Sequence, residues 1–266
     1  MASVALYLRL AGAQLRGQVQ YRVSFLLQAF SSFTSTFVEL LAIFILFATF
    51  HDLAGWRVGE VAFLYGLVSI AFGLTEIFGE GFDHVDQLVR AGEFDRLLVR
   101  PVAPFVQVLA GEVQFRRVGR IAQGVVAIAL AQRWLHLAWT LPKALVFLAA
   151  IPSSTLVFFT VLLVGAAICF WTIESSEAQN IFTYGGTELA SYPLQIYSRW
   201  IQGVFLYVVP LALTSYYPAL YVLGKPDPFG LPAALPFLAP LVAAGFFAAG
   251  LGVWELGLRH YQSTGS

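Results

Sequence analysis

Residues 144–173 read ALVFLAAIPSSTLVFFTVLLVGAAICFWTI, thirty positions without an Asp, Glu, Lys or Arg among them. A helix needs about 20 mostly apolar residues to cross a bilayer, so this stretch spans with residues to spare. The same pattern recurs on both sides of it. From Ser24 to Phe50 the only charge is Glu39, and from Val61 to Ile77 the only charge is Glu76. No charge falls between Arg199 and Lys225, or between Asp227 and Glu255. These five runs read as spanning helices. A sixth is shorter: only 12 residues separate Arg120 from Arg133. A helix over 118–137 crosses if its arginines extend to the headgroups. The expectation is an all-α, polytopic membrane protein forming a single transmembrane domain over 1–266. Its six spans fall near 24–49, 61–79, 118–137, 144–172, 199–217 and 234–256.

Composition agrees with that reading. Of 266 residues, 59% are hydrophobic and 11% charged, with a mean hydropathy of +0.76. Soluble domains run at roughly 45–50% apolar and about 25% charged. A soluble enzyme, a disordered chain and a nucleic-acid binder with a basic face are all excluded. Fifteen basic and fifteen acidic residues cancel, so net charge says nothing about partners. The one cysteine, Cys169, lies in an apolar run and reads as a buried, inert thiol. Met1–Tyr21 has Arg9 and Arg16 inside it and no cleavage-site pattern, so insertion is expected through the first span.

Lys and Arg set the orientation. With six spans the termini share a side, and that side carries eleven basic residues against four on the other. Both termini are therefore expected in the cytoplasm. Trp56, Trp134 and Trp139 then belong to the outer interface.

Three segments do not span. Residues 1–22 read as an interfacial amphipathic helix, with Val4, Leu8, Leu15 and Val19 on one face and Arg9, Arg16 and Gln20 on another. Residues 81–117 form the longest cytoplasmic loop. Asp83 is a helix N-cap, Val85, Leu88 and Val89 make a short apolar stripe, and Gly92 is a stop. A second helical turn, Phe94–Val99, ends at Arg100-Pro101, because proline disfavours helix in the residue before it. Asp86, Arg90, Glu93, Asp95 and Arg96 are expected to be exposed, either on a solvated loop or on a surface that docks a partner. Residues 218–233 contain the first half of a proline series, Pro228, Pro232, Pro236 and Pro240, that a lipid-exposed helix tolerates poorly. They read as an extracytoplasmic re-entrant segment, or as an ordinary interfacial loop.

No catalytic pattern is present. The sequence lacks GxxxxGK[ST], HExxH and GxSxG, and its four histidines fall in different loops. No site for a cofactor or a metal follows from the spacing. The one ionisable residue expected deep in a span is Glu39, on the same helical face as Gln28, Ser32 and Ser35. A mid-depth carboxylate costs at least ~2.5 kcal/mol, so this stripe must meet protein or water. It lines a pathway or subunit seam, or it packs on a neighbouring helix.

The layout resembles the ABC-2 class of ABC transporter permeases, most closely a bacterial branch. That branch carries Gly-acidic-x-Asp-x-x-Leu-x-Arg-Pro after its second span, and here the stretch is Gly92-Glu93-Phe94-Asp95-Arg96-Leu97-Leu98-Val99-Arg100-Pro101, followed by VAPFVQVL. Tyr192-Pro193-Leu194, Pro210 and Tyr217-Pro218-Ala219-Leu220 match further along. The resemblance implies a permease of the bacterial inner membrane that exports lipids, glycans, peptides or drugs, and the content of 24 Phe and 11 Tyr suits a hydrophobic or amphipathic cargo. Two separate ABC ATPase subunits would bind ATP and Mg, and a second permease, identical or related, would complete the unit. It also implies a coupling surface on Asp86, Arg90, Glu93, Asp95, Arg96 and Arg100. A secondary transporter is the alternative, although 24–137 and 144–256 show no repeat. A non-transporting assembly protein is another, but it has no need of the charged loop.

Overall fold

The computed structural model describes residues 22–50, 52–172 and 176–262, with isolated positions 12, 16, 17 and 20 before them. The interfacial helix expected over 1–22 lies almost wholly outside the described residues. Among those described, every regular element is helical. Four long helices are apolar enough to cross a membrane. They are α1 (Arg22–Thr49), α2 (Val58–Asp83), α7 (Leu141–Thr172) and α11 (Leu235–His260). A shorter helix, α6 (Val118–Leu135), packs among them, and α8 (Ser176–Ala190) follows α7. Between α2 and α6 the chain forms three short helices: α3 (Val85–Arg90), α4 (Phe94–Leu98) and α5 (Pro104–Gly111).

The centre of the bundle is α2, buried along nearly its whole length between α6 and α7. Small residues allow the close approach. A Cβ on Gly66 would meet the Gly124 carbonyl oxygen at 2.7 Å, and one on Gly124 would meet the Gly66 carbonyl oxygen at 2.8 Å. The two helices thus touch backbone to backbone, the contact small residues permit between membrane helices. Further along, Thr155 Oγ1 donates to the Ala71 carbonyl at 3.1 Å, and Thr75 Oγ1 to the Thr155 carbonyl at 3.1 Å, tying α2 to α7. In contrast, α1 meets chiefly α6 and leaves Leu26, Leu27, Phe30, Val38 and Ile45 exposed.

The bundle has two distinct ends. At one, residues 52–57 turn from α1 into α2. At the other lies the loop 84–117, with the C-terminal ends of α7 and α11. Gln195 Nε2 donates to the Ala54 carbonyl at 2.8 Å, so residue 195 sits at the turn end. Phe170 packs on Phe94, ring centroids 5.0 Å apart, so α7 finishes at the loop end. The chain therefore traverses the bundle between them, along α8.

This corrects the span expected over 199–217. That stretch and its continuation form two segments, α9 (Arg199–Val208) and α10 (Ala212–Leu223), bent by 80°. The bend falls at Pro210: Val209, just before it, is extended (φ −117°, ψ 92°), as a residue preceding proline prefers. Both ends of the pair return to one place. Gln195 holds Ala54, and Lys225 Nζ donates to the Gly55 carbonyl at 2.9 Å. Gly224, at φ 70°, ends α10 in the left-handed conformation that glycine adopts without strain, and so turns Lys225 back. The bend lies before 218–233, whose residues are the last turns of α10 and a loop leading to α11. Arg199 shifts to the turn end, changing the basic count to ten against five.

Candidate functional site

An ionic network crosses α1, α2 and α6. Arg120 Nε lies 3.2 Å from Glu76 Oε2, and its NH2 lies 3.7 Å from Glu39 Oε1. Arg117 reaches Glu76 Oε1 at 3.1 Å and Glu80 Oε1 at 3.9 Å. Gln114 Nε2 donates to Glu80 Oε1 at 2.6 Å. The Arg120 guanidinium also sits 5.1 Å over the Phe72 ring. Glu76 and Arg120 are buried, and Glu39 keeps 30% of its side chain exposed. Tyr65 donates to Glu39 Oε2 at 3.1 Å, and Gln123 donates to the Tyr65 hydroxyl at 2.8 Å and to the Thr36 carbonyl.

Helical phase explains the assembly. Glu76 and Glu80 are four residues apart on one face of α2. Arg117 and Arg120 are three apart across the start of α6. Two carboxylates meet two guanidiniums where the helices touch, and each arginine divides its nitrogens between two carboxylates. The expectation that Arg120 extends to the headgroups is corrected: it turns inward, because Glu76 and Glu39 lie in the protein. Glu39 is likewise one of a group rather than a lone carboxylate.

Beside the network is a cavity of about 340 Å³. Gln28, Ser32, Ser35 and Glu39 of α1 line one side, and Arg117 and Arg120 line the other. The α1 stripe therefore faces a polar space.

The second group of residues is at the loop end. Arg90, Glu93, Arg96 and Arg100 are exposed. Asp86 and Asp95 are not, and this corrects the sequence expectation. Asp86 is buried, with Oδ2 3.4 Å from Arg90 NH2. Asp95 is half-buried and accepts a hydrogen bond from the Tyr261 hydroxyl at 2.9 Å. The cause is the aromatic pocket beneath α4: Phe94 packs on Phe170 and Tyr261, with centroids 5.0 and 5.1 Å away, and its own burial draws Asp95 in. Burial, then the bond to Asp95, pushes the Tyr261 phenol up to about 12, so it remains the donor at neutral pH. What α4 presents outward instead is apolar: Leu98 is 45% and Val99 83% exposed, between Arg96 and Arg100.

Tyr261→Phe removes the hydrogen bond and keeps the ring, so a loss of about 1 kcal/mol is expected. Tyr261→Ala also removes the packing on Phe94 and Phe170. Protease cleavage within 93–100 should then rise well above that in the Phe variant, and equal cleavage in both would show that the ring does not hold α4.

One group among the described residues brings metal-ligand atoms together: Glu80, His84 and Glu112, within 4.8 Å of one another. Glu80 is already taken by Gln114 and Arg117, and His84 Nδ1 by Glu112 Oε2 at 3.3 Å. Each of the three thus already has a polar partner within the fold.

Compared with protein families, residues 33–265 match the model of the ABC-2 family transporter protein. No curated protein matches the sequence.

Proposed function

The chain belongs to the ABC-2 transporter family and is a multi-pass membrane permease component that works with ABC ATPase subunits; from that premise we propose that it is an exporter subunit of a bacterial inner membrane. Two ATPases hold ATP and Mg, this chain and a second permease, identical or related, form the path, and a hydrophobic or amphipathic cargo moves outward. Six crossings, α1, α2, α6, α7, α8 and α11, leave both termini in the cytoplasm. The ten-to-five excess of Lys and Arg at the loop end supports that orientation. The bent pair α9–α10 then dips into the outer leaflet as the re-entrant element. The second permease covers the exposed apolar face of α1.

The observation that carries the reading is the knob on α4. Leu98 and Val99 stand exposed between Arg96 and Arg100, on a helix fastened through Phe94 and Tyr261 to the ends of α7 and α11. An apolar anchor with a charged rim is how a protein partner is gripped. A push on the knob passes through Phe94 into two long helices. Arg90, Glu93, Arg96 and Arg100 form the rim, while Asp86 and Asp95 hold the loop in shape from within.

Val99→Asp tests this directly. It puts a charge where the interface must be dry and leaves the interior untouched. Affinity for the ATPase should fall by roughly a hundredfold or more, with the permease still inserted and monodisperse. Co-purification of wild-type amounts of ATPase with this variant would overturn the coupling assignment.

A further inference from the structure

The cavity beside Glu39 differs from a generic polar space in which hydrogen-bonding groups it leaves available. Ser35 Oγ donates to the Ser31 carbonyl and Thr36 Oγ1 to the Ser32 carbonyl, both at 2.9 Å. Gln28 Nε2 donates to Ser24 Oγ at 3.2 Å. The Ser35 and Thr36 hydroxyl hydrogens are spent on α1 itself, so these two offer oxygen inward, while Gln28 keeps its carbonyl oxygen and one amide hydrogen. Glu39 adds a partly exposed carboxylate to the same wall. Across the cavity, Arg117 and Arg120 are engaged by Glu76 and Glu80 behind them. Among the described side chains of the network, three carboxylates face two guanidiniums. A fully buried acceptor, Gln123 Oε1, lacks a donor one residue's width away, where its own amide holds Tyr65 and the Thr36 carbonyl.

We infer that this cavity takes the cationic, N–H-bearing headgroup of an amphipathic molecule. An ammonium group brings donors only, which matches the Glu39 carboxylate and the Ser35 and Thr36 hydroxyl oxygens, and its charge balances the surplus carboxylate of the network. Leu27 and Val38, exposed about a quarter-turn round α1 from the stripe and turned toward the second permease, supply a surface for the attached chain. An anionic headgroup meets the Glu39 carboxylate on the same wall and competes with Glu76 and Glu80 for the two arginines. The inference rests on the exporter reading and narrows its cargo to cationic amphiphiles.

The experiment uses the full chain, with and without its ATPase, in phosphatidylcholine nanodiscs. Cys169 is replaced by Ala and a cysteine is introduced by Ser35→Cys. The rate of alkylation by a water-soluble maleimide is followed with dodecylammonium, dodecanol or dodecyl sulfate present. Dodecylammonium should slow alkylation by roughly tenfold at concentrations where the other two slow it less than about twofold. Adding Glu39→Gln should abolish that difference. Equal protection by all three probes, stronger protection by dodecyl sulfate, or ammonium selectivity that survives Glu39→Gln each overturns the inference. The three-probe comparison needs no charge variant, so it decides even where Glu39→Gln fails to assemble. Unselective protection in a chain that still binds its ATPase rejects only the cationic site. Selective protection in a chain that binds no ATPase rejects only the exporter reading.

Discussion

Arg120→Met should be the most damaging single substitution in the bundle. Methionine keeps the length of the side chain and removes its charge, leaving Glu76 with Arg117 and Glu39 with no ion pair among the described residues. Breaking a buried pair from one side costs about 3–5 kcal/mol, because the surviving charge stays buried without compensation. For a chain of this size the melting temperature in detergent should fall by on the order of 10 °C. The sign of the double variant is the sharper test. Arg120→Met with Glu76→Gln removes both charges and should recover a good part of the loss. Arg120→Lys should fall between, keeping the charge but not the two-sided reach to Glu39 and Glu76. A variant as stable as the parent, or a double variant worse than the single, would mean that the pair contributes nothing to the fold.

Gly124→Val should be nearly as severe, for a reason of shape. A Cβ there lies 2.8 Å from both the Gly66 carbonyl oxygen and Ile70 Cγ1, so α2 and α6 must move apart. Overpacking of this kind costs about 1–3 kcal/mol, and here it also loosens the contact that holds Arg120 against Glu76. Gly245→Val is the control, since nothing lies within 4 Å of its Cβ position. Size-exclusion profiles after heating should separate the two cleanly. Matching profiles would show that the α2–α6 contact tolerates expansion.

The long spans were legible because a run without charges has one explanation in so apolar a chain. The run 144–173 became α7, and the stretch around Glu39 became α1. The helix α8 was missed for the converse reason: Glu177 and Glu188 interrupt it, and counting uncharged residues discards it. Its 15 residues rise about 22 Å, less than the roughly 30 Å hydrocarbon core, so it is short as well as interrupted. The run 200–224 failed in the opposite direction. It has no charges, but Pro210 sits in the middle of it, and hydropathy does not register direction. At the site, the α1 stripe was readable from its spacing. Its partners were not, although a signal existed: a deep carboxylate demands a deep cation, and Arg117 and Arg120 open a helix too short to place them both in water. Asp95 was assigned outward by charge alone. The deciding fact was its neighbour Phe94, whose pocket is built by α7 and α11 and has no trace in the local sequence.

The turn at 54–57 has a mechanical role that its size hides. It holds Gln195 through Ala54, and Lys225 through Gly55 and through Glu60, whose Oε2 lies 2.8 Å from Lys225 Nζ; Trp56 stacks on Tyr216 beneath. The two ends of 195–225 are thus tied to one edge, while Leu211, Ala212, Tyr216, Tyr217 and Leu220 between them are buried in the core and Ser154 Oγ of α7 donates to the Thr214 carbonyl at 2.9 Å. Whatever displaces the turn at 54–57 therefore carries both ends of the bent pair with it, and through its buried middle the same displacement reaches α7.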